Sequence, residues 1–336
     1  MARFTVTTWN LENLFLPEAG TGPDDEDFER KLDGLAETIQ RIDPDVLAVQ
    51  EVGQPEALER LLSRPRLAGC YPEMVCAEHV EPSHGIRVGF ASKLPIEDRE
   101  EIDLFPADSL LLVGANGDRG RPVETLFRRP VLRIRVRPFP GRPITLLTAH
   151  LKSKLLTYDH PNPGHPRFTP RDETEHALAA GHALLTRTAE AVALRALADR
   201  LLEDPAAGDL IVLGDLNDGP DAATTQILAG PAGSEIGTPG FDRTDKGDRM
   251  RLFNLAACIS NPQWRYSRRH FSTTELIDHV FASIGLLPGH PHGRPAVFCG
   301  EFPDREPLVP SMGDQPGHAH GRLPSDHAPV TAEFTL

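Results

Sequence analysis

The sequence predicts an α/β protein, and three observations lead to that fold class. Residues 210–213 form a short, fully apolar and partly β-branched run, as expected of a strand buried on both faces. Residues 28–42 repeat apolar side chains at intervals of three and four, the spacing of an amphipathic helix. That helix stands between two strand-like runs, so that strand, helix and strand alternate along the chain.

The chain has 336 residues, of which 39% are hydrophobic and 25% charged, so it can bury a substantial core. No linker divides this core, and we predict one domain over residues 1–336 with a Pro/Gly/His-rich insertion at about 285–322. No apolar run approaches the roughly 20 residues that span a bilayer, and the first residues lack a signal-peptide pattern, which predicts a cytoplasmic protein. The four cysteines, at 70, 76, 258 and 299, show no CxxC spacing and are expected to be reduced.

The charge balance excludes one class of function. The chain has 49 acidic and 35 basic residues, a formal net charge of −14. Because polyphosphate repels such a protein at long range, a nucleic-acid coat or repressor is excluded. An enzyme acting on phosphate esters stays open, since divalent cations can neutralise an acidic site.

The N-terminal half predicts three strands and two helices. Strands are expected at 4–8, 46–49 and 87–91, because apolar residues alternate or run together there and polar or turn residues follow. The helix at 28–42 ends before the Asp43-Pro44 pair. Pro55 is expected to open a second helix, through Leu62, since proline is well tolerated in the first turn.

The C-terminal half predicts further strands around one long helix. Strands are expected at 131–136, 144–148, 210–213, 276–282 and 330–336, while the segments 253–259 and 265–270 have no assigned structure. Arg133, Arg135 and Arg137 alternate with apolar residues, which indicates one basic face, either a phosphate-binding surface or, as we favour, ion pairs with the excess acids. Residues 173–202 have a helical pattern that Gly181 is expected to break or kink.

Polar residues stand at the ends of these strands or interrupt them. They are Asn10, Glu12, Glu51, His150, Asp215, Asn217, Asp278, Asp326 and His327. Any one of these residues alone could equally well belong to a turn or be a solvated surface side chain without a function. Together they predict a shared rim, because strand ends in α/β proteins converge where ligands bind.

The short motifs that contain these residues resemble those of the endonuclease/exonuclease/phosphatase superfamily, which has the deoxyribonuclease-like fold. They are Thr8-Trp-Asn-Leu-Glu12, Gln50-Glu51, Thr148-Ala-His-Leu-Lys-Ser153, Gly214-Asp-Leu-Asn217, Ile277-Asp-His-Val280 and Ser325-Asp-His-Ala-Pro-Val330. They occur in the family's order over nearly the whole chain. The resemblance implies a four-layer α/β sandwich, two mixed β-sheets packed face to face with helices outside, and divalent-cation-dependent hydrolysis of phosphoesters.

The resemblance also implies a role for each residue. Glu51 is the first expected metal ligand, with Glu12 helping and Asp326 as a ligand of a second cation. The cofactor is expected to be one or two ions of Mg²⁺ or Mn²⁺, with Ca²⁺ a further candidate; carboxylate oxygens suit such hard cations. His327 would deprotonate or orient the attacking water, and Asp278 would fix its tautomer.

Four other residues complete the expected site. Asp215 would orient the nucleophile or serve the leaving group, and His150 would protonate the leaving oxygen. Asn10 and Asn217 would hydrogen-bond the phosphoryl oxygens. Lys152 and Arg129 are second-tier candidates for a substrate phosphate and are equally well explained as solvated cations. His290, His292, His318 and His320 suggest a transition-metal site by composition, although loop histidines are more often solvated.

The substrate cannot be read from the fold class, because the family includes several kinds of phosphoesterase. A nuclease is favoured, because the His150-Leu-Lys-Ser-Lys154 word resembles that of bacterial nucleases, and nucleic acid is then the expected partner. The strong negative charge favours the alternative, a phosphodiesterase or phosphatase acting on a small molecule or lipid head group. A non-catalytic interaction scaffold is the alternative of another class, and the complete set of polar residues argues against it.

Overall fold

A computed structural model describes residues 3–17, 25–79, 85–113, 121–141, 143–158, 167–259, 265–270, 273–287, 294–299 and 325–335. The loop histidines at 290, 292, 318 and 320 lie outside these residues, and the transition-metal site predicted there stays a prediction.

The first large sheet has six strands in the order β15-β16-β1-β2-β4-β3. Their bounds are Arg3–Leu14 (β1), Val46–Val52 (β2), Glu73–Cys76 (β3), Arg87–Ser92 (β4), Arg294–Cys299 (β15) and Val330–Thr335 (β16). Strand β1 is parallel to β2 and antiparallel to β16, so the sheet is mixed. β15 lies within the segment predicted as an insertion, so part of that segment belongs to the sheet.

The second large sheet also has six strands, in the order β11-β14-β10-β9-β8-β5. Their bounds are Asp98–Leu104 (β5), Leu126–Val136 (β8), Ile144–His150 (β9), Asp209–Asp215 (β10), Leu252–Asn254 (β11) and Asp278–Ser283 (β14). Here β9 and β10 are parallel and β14 is antiparallel to β10. Two small hairpins, Leu112–Val113 with Arg121–Pro122 (β6 and β7) and Arg268–His270 with Thr273–Glu275 (β12 and β13), complete the described strands.

Helices cover the outer faces of both sheets. Helices α1 (Asp25–Ile42) and α2 (Pro55–Leu62) pack on the first sheet, and α3 (Glu173–Glu203) packs on the second, while α4 (Ala223–Gln226) is short. A third apolar cluster fills the space between the sheets, with Phe4 and Phe90 from the first and Ile134 and Leu213 from the second. The predicted α/β fold class, a four-layer sandwich of two mixed sheets with helices outside, is therefore confirmed.

Two local features differ from the expectations. Helix α3 runs through Gly181 without a break, because that residue lies on an exposed part of the helix where no packing depends on it. Strand β5, with the sequence Asp-Arg-Glu-Glu-Ile-Asp-Leu, has no apolar alternation and was not predicted.

The charge of β5 is explained by its neighbour β8. Arg133 pairs with Asp98 and Glu100, while Arg135 and Arg137 both pair with Glu97. The basic face predicted for residues 131–137 is thus occupied by ion pairs. Such a charged edge strand also discourages pairing with other sheets.

Buried polar side chains join the two sheets near their common end. Gln50 Nε2 of β2 donates to Thr148 Oγ1 of β9 over 3.0 Å and to Thr8 Oγ1 over 3.1 Å. Gln50 and Thr148 are fully buried, and a buried polar group is stable only when it is hydrogen-bonded. This hydrogen bond therefore holds the end of β9, which carries His150, against the end of β2, which carries Glu51.

Among the described helices, none is both long enough and apolar enough to cross a membrane.

Gly214 is required where β10 passes β9, and its replacement is expected to destabilise the fold. Its φ is +148°, and an added Cβ would lie 2.0 Å from the carbonyl oxygen of Ala149. Gly214→Ala should lower the free energy of unfolding by about 2–4 kcal/mol, measured by urea denaturation. The matched control is Gly181→Ala, which meets nothing within 4 Å and should raise that free energy by about 0.5–1 kcal/mol. Equal stability of the two variants would contradict the assignment.

Candidate functional site

The topology brings the polar ends of five strands to one rim. The carboxyl ends of the parallel strands β1 and β2 carry Asn10 and Glu51, and those of β9 and β10 carry His150 and Asp215. Strand β14 runs antiparallel to β10, so its first residue, Asp278, lies opposite Asp215.

The segment before β16 reaches the same rim from the other end of the chain. Because β16 is antiparallel to β1, the residues that precede it lie beside the end of β1. Ser325 Oγ donates to the carbonyl oxygen of Asn10 over 2.7 Å, and the indole Nε1 of Trp9 donates to the carbonyl oxygen of His327 over 2.8 Å. These bonds hold Asp326 and His327 at the rim.

Asn10 connects carboxylates of both sheets. Its Nδ2 donates to Glu51 Oε1 of the first sheet and to Asp215 Oδ2 of the second, each over 3.0 Å. Its Oδ1 accepts from the backbone nitrogen of Glu12 over 2.9 Å. Both amide hydrogens are therefore used within the protein, which suits a positioning role better than contact with a phosphoryl oxygen.

Asp215 Oδ2 is the centre of the site. Besides Asn10, it faces His150 Nε2 at 3.5 Å and His327 Nε2 at 4.0 Å. The other oxygen, Oδ1, accepts from the backbone nitrogen of Asn217 over 2.9 Å. Burial and the neighbouring Asp278 raise the pKa of Asp215 to about 7. A carboxylate with this pKa can accept a proton and release it again near neutral pH.

His327 and Asp278 form a buried pair. The distance from His327 Nδ1 to Asp278 Oδ2 is 2.7 Å, and Ser267 Oγ accepts from the backbone nitrogen of Asp278 over 3.0 Å. Burial by itself would lower the pKa of His327, but Asp278, Asp326 and Asp215 outweigh it and raise this pKa to about 10. The surrounding carboxylates therefore favour the protonated form of the His327 ring.

Three of the site residues have left-handed backbone conformations. Glu12, Glu51 and Asn217 have φ values of +46°, +60° and +56°. Such values are uncommon for residues other than glycine and cost of order 1–3 kcal/mol each. They turn the chain at the ends of β1, β2 and β10 and aim the side chains into the rim.

Glu12, Glu51 and Asp326 form a group that we call the carboxylate group. Glu12 Oε2 accepts from the backbone nitrogen of Asp326 over 2.9 Å, and Glu51 Oε2 accepts from that of Asn13 over 2.9 Å. Burial, with added repulsion from Asp326 and Glu51, raises the pKa of Glu12 to about 8. Crowded carboxylate oxygens of this kind fit a hard divalent cation, which would relieve their mutual repulsion.

A second set of potential ligand atoms lies beside the carboxylate group. One ligand-type atom each of Asp215, Asp278 and His327 lie within 4.8 Å of one another, and by spacing they could hold an ion. Nδ1 of His327 is hydrogen-bonded to Asp278, which leaves Nε2 available, and such a bond is usual for a metal-bound imidazole. This set is therefore a second candidate for a cation site.

Asn217, Lys152 and Arg129 support the backbone near His150. Asn217 Nδ2 donates to the carbonyl oxygen of Leu151 over 3.0 Å, and Arg129 Nη1 donates to the same oxygen over 3.2 Å. Lys152 Nζ donates to the carbonyl oxygens of Ser153 and Leu155. In this arrangement the two cations hold the loop after β9, and their contact with a substrate phosphate stays a prediction.

Two further cations border the site. Arg268 Nε of β12 donates to Asp326 Oδ2 over 3.3 Å, and Lys31 of α1 interacts with all three members of the carboxylate group. The sequence could not distinguish Arg268 from the arginines close to it. It could have drawn attention to Lys31, because a lysine three residues after Phe28 lies on the apolar face of its helix.

The comparisons with known proteins agree with this geometry. A family model described as "Endonuclease/Exonuclease/phosphatase family" matches residues 7–327. Two solved structures of D. rerio TDP2 are similar to the chain: the humanized form with 14 mutations (17% identity, TM-score 0.54) and the complex with a single-strand DNA product (18%, 0.55), each covering 99% of both chains. The human Nocturnin catalytic domain with bound sulfate is similar at 15% identity and TM-score 0.54, covering 99% of this chain and 94% of that one. No curated protein matches the sequence significantly.

The raised pKa values predict that the metal-free protein loses stability as the pH rises. Asp215, Glu12 and His327 all have higher pKa values in the folded state than in the unfolded state. Above about pH 5 the folded state therefore binds more protons than the unfolded state does. In EDTA, we expect the free energy of unfolding to fall from pH 6 to pH 8.5 by about 1 kcal/mol per pH unit or more.

Urea denaturation at several pH values checks this dependence. Asp215→Asn and Glu12→Gln should each reduce the slope, because one titrating group is removed. A free energy of unfolding that is equal at pH 6 and pH 8.5 in the unsubstituted protein would show that these carboxyls are not strained by burial.

Proposed function

The chain belongs to the endonuclease/exonuclease/phosphatase family, whose members are as a class metal-dependent phosphoester hydrolases, and from this premise we propose that it hydrolyses phosphodiester bonds in nucleic acid. One observation carries the proposal. The carboxylate group and the His327–Asp278 pair meet at one rim, where His327 Nε2 lies 3.7 Å from Asp326 Oδ1 and 4.0 Å from Asp215 Oδ2. A phosphate bound at this rim would meet a cation site next to an acid–base site.

Asp215 is the group that we assign to the attacking water. Its pKa of about 7 lets it hold the water's proton at neutral pH, which general-base catalysis requires. Asn10 and the backbone nitrogen of Asn217 fix the two carboxylate oxygens, so the side chain is oriented before substrate binds.

His327 is assigned to the phosphoryl group. As an imidazolium held by Asp278, its Nε2–H can donate to a phosphoryl oxygen and stabilise the charge that develops in the transition state. If a bound cation lowers its pKa, the same atom can instead orient or deprotonate the water, the role expected from the sequence. His150, beside both Asp215 and Glu51, is assigned to protonation of the leaving oxygen.

Glu51, Glu12 and Asp326 would hold the divalent cation, for which Mg²⁺ or Mn²⁺ is proposed. When bound, such an ion neutralises phosphate charge and acts as a Lewis acid on a phosphoryl oxygen. The protein's part is to hold the three carboxylates in place: Asn10 and the Asn13 nitrogen fix Glu51, and the Asp326 nitrogen fixes Glu12.

Nucleic acid is proposed as the substrate on two grounds. The similar D. rerio TDP2 structure contains a single-strand DNA product. The His150-Leu-Lys-Ser-Lys154 motif is present here, with Lys152 in the loop after β9 and Lys154 paired with Asp218 and Glu275. The net charge of −14 favours a second candidate, a small-molecule or lipid phosphodiester, because a long polyanion would be repelled. A non-catalytic scaffold would not need the full set of hydrogen bonds that orient Asp215 and His327.

The assignment of His327 predicts a large loss of activity on truncation. His327→Ala should lower the rate of bis-p-nitrophenyl phosphate hydrolysis by roughly 10²–10⁴-fold, because a positioned acid–base group contributes about this much. The control is His79→Ala, a histidine that pairs with Glu101 on the edge strands and should keep full activity. Retention of more than about a tenth of the rate in His327→Ala would refute its catalytic role.

Chelation and a substrate panel test the reaction class. EDTA should abolish hydrolysis, and Mg²⁺ or Mn²⁺ should restore it, because the carboxylates cannot neutralise phosphate by themselves. Plasmid DNA, single-stranded DNA and single-stranded RNA should be cleaved faster than a phosphomonoester. Full activity in EDTA would exclude metal catalysis, while hydrolysis of the small phosphodiester alone would favour the second candidate.

A further inference from the structure

The loop that follows His150 is bonded to helix α3 through both backbone polar atoms of one residue, Lys152. Glu190 Oε2 accepts from the backbone nitrogen of Lys152 over 2.6 Å, and Arg187 Nη1 donates to the carbonyl oxygen of Lys152 over 2.9 Å. Arg187 and Glu190 are three residues apart, so they project from the same face of the helix. One turn of α3 therefore holds one residue of the loop from both sides, and we call this pair the α3 clamp.

Each residue of the α3 clamp has a second hydrogen bond to another element that borders the site. Glu190 Oε1 accepts from the backbone nitrogen of Arg128 in β8 over 3.1 Å. Arg187 Nε donates over 2.8 Å to Asp218 Oδ2, in the turn that follows β10. Because β8, β9 and β10 are neighbours in the second sheet, the clamp connects the site ends of three strands to one helix.

Packing alone does not explain the α3 clamp. Glu190 and Arg187 are only 1% and 5% exposed, and ionisable side chains are almost never buried so completely unless they are paired. Burial raises the pKa of Glu190, while the two backbone donors and the nearby Arg129 act in the opposite direction. Elsewhere α3 packs on the second sheet with apolar residues such as Ala193 and Leu194, which need no buried charge. The polar pair therefore indicates a function beyond holding the helix to the sheet.

The clamp lies two residues from His150, along a stretch of backbone that is itself hydrogen-bonded. Only Leu151 separates His150 from Lys152. The backbone nitrogen of Leu151 donates to the carbonyl oxygen of Asp215 over 3.0 Å, and its carbonyl oxygen accepts from Asn217 Nδ2 over 3.0 Å. His150 Nε2 lies 3.5 Å from Asp215 Oδ2. Since a displacement of about 1 Å can lower a rate by about 10²-fold, movement of Lys152 would affect the proposed chemistry at the imidazole.

We propose that Glu190 and Arg187 are positioning residues for His150. The α3 clamp holds Lys152 and thereby keeps the imidazole beside Asp215, where it protonates the leaving oxygen. In that step the bond between phosphorus and the leaving oxygen breaks, the electron pair stays with the oxygen, and the proton comes from the His150 ring. This inference rests on the proposed function, which assigns that role to His150.

Two substitutions loosen the clamp with little change in volume. Glu190→Gln replaces one carboxylate oxygen by an amide nitrogen, which donates instead of accepting, so one of the two backbone N–H groups loses its acceptor. Arg187→Lys keeps the charge but lacks the fork that reaches both Lys152 and Asp218. If Glu190→Gln does not fold, Arg187→Lys carries the same test.

Arg195→Lys is the matched control in the same helix. Arg195 Nη1 donates to the carbonyl oxygen of Leu228 over 2.9 Å, and its Nη2 donates to that of Met250 over 3.1 Å. Helix α3 leads to the start of β10, at the opposite end of that strand from Asp215, so Arg195 lies farther along the helix from the rim than the clamp does. This variant should keep the activity of the unsubstituted protein on every substrate.

Two substrates separate the positioning of His150 from general damage to the site. An oligodeoxynucleotide has an alkoxide leaving group that needs a proton, whereas nitrophenolate leaves bis-p-nitrophenyl phosphate without one. Glu190→Gln and Arg187→Lys should lower kcat on the oligodeoxynucleotide by about 10- to 100-fold and kcat on the aryl ester by less than about threefold. Diphenyl phosphate, with a poorer leaving group than nitrophenolate, replaces the oligodeoxynucleotide if only small phosphodiesters are hydrolysed.

A double-mutant cycle tests whether the clamp acts through His150. His150→Ala should show the same difference between the two substrates as the clamp variants do. Adding Glu190→Gln to His150→Ala should then lower kcat little further, because both residues serve one step.

Hydrogen–deuterium exchange gives a readout that needs no catalysis. The peptides that contain the Lys152 and Arg128 amides should together exchange about tenfold or more faster in Glu190→Gln, because one of these amides has lost its acceptor. The same peptides should be unchanged in Arg195→Lys. Unchanged exchange in Glu190→Gln would contradict the clamp itself.

Three results on activity would overturn the inference. They are full activity of both clamp variants, an equal loss on the two substrates, and a full additional loss when Glu190→Gln is added to His150→Ala; the last two would reduce the clamp to a structural role. Failure of the proposed function gives a different result. If the unsubstituted protein hydrolyses no phosphodiester while exchange is still faster in Glu190→Gln, the role of His150 is refuted and only the ordering of the loop by the clamp stands.

Discussion

The hydrogen bonds of Asn10 are the interaction on which the site depends. One amide nitrogen holds a glutamate of the first sheet and an aspartate of the second, each over 3.0 Å. Apart from this contact and the Gln50–Thr148 hydrogen bond, the two sheets meet mainly through apolar side chains, which tolerate small sliding movements. A single carboxamide shared between a buried and a partly buried carboxylate does not tolerate them, because each oxygen would lose its donor. The arrangement of the candidate site is therefore as rigid as the packing of the two sheets.

Concentrating acids in this way opposes folding, and the surroundings show how the protein limits the cost. Backbone nitrogens of Asn13, Asn217 and Asp326 each donate to a carboxylate oxygen, and the Ser267 hydroxyl bonds the backbone beside Asp278. Glu12, Glu51 and Asn217, which stand among these hydrogen bonds, have left-handed backbone conformations. Backbone strain and repulsion among side chains therefore occur at the same place, which agrees with the proposed binding of a cation and a phosphate there.

The sequence predicted the fold class and the strand ends because both leave local signals. Apolar runs such as residues 210–213 identify buried strands, and the words around Asp215 and Asp326 are contiguous in the chain. Strand β5 escaped because its stability comes from ion pairs with β8, a relation that no local pattern contains. Arg268 escaped for the same reason, because only its contact with Asp326 across the fold distinguishes it from the neighbouring arginines. Arg129 was named from the sequence as a candidate for a substrate phosphate. Its contacts with the carbonyl oxygens of His150 and Leu151 could not be predicted, because they form only in the folded chain.

The pairing of β1 with β16 also bears on how the protein is made. Ser325 and Asn10, which bond directly, are 315 residues apart, and Trp9 contacts the backbone of His327 across 318. Contacts of such separation form late, because a long loop must close before they stabilise anything. On the ribosome, β1 and the carboxylates around it emerge long before the segment that supplies Asp326 and His327. A nascent or prematurely terminated chain therefore carries an incomplete set of the candidate site residues, and the proposed site is complete only when β16 docks beside β1.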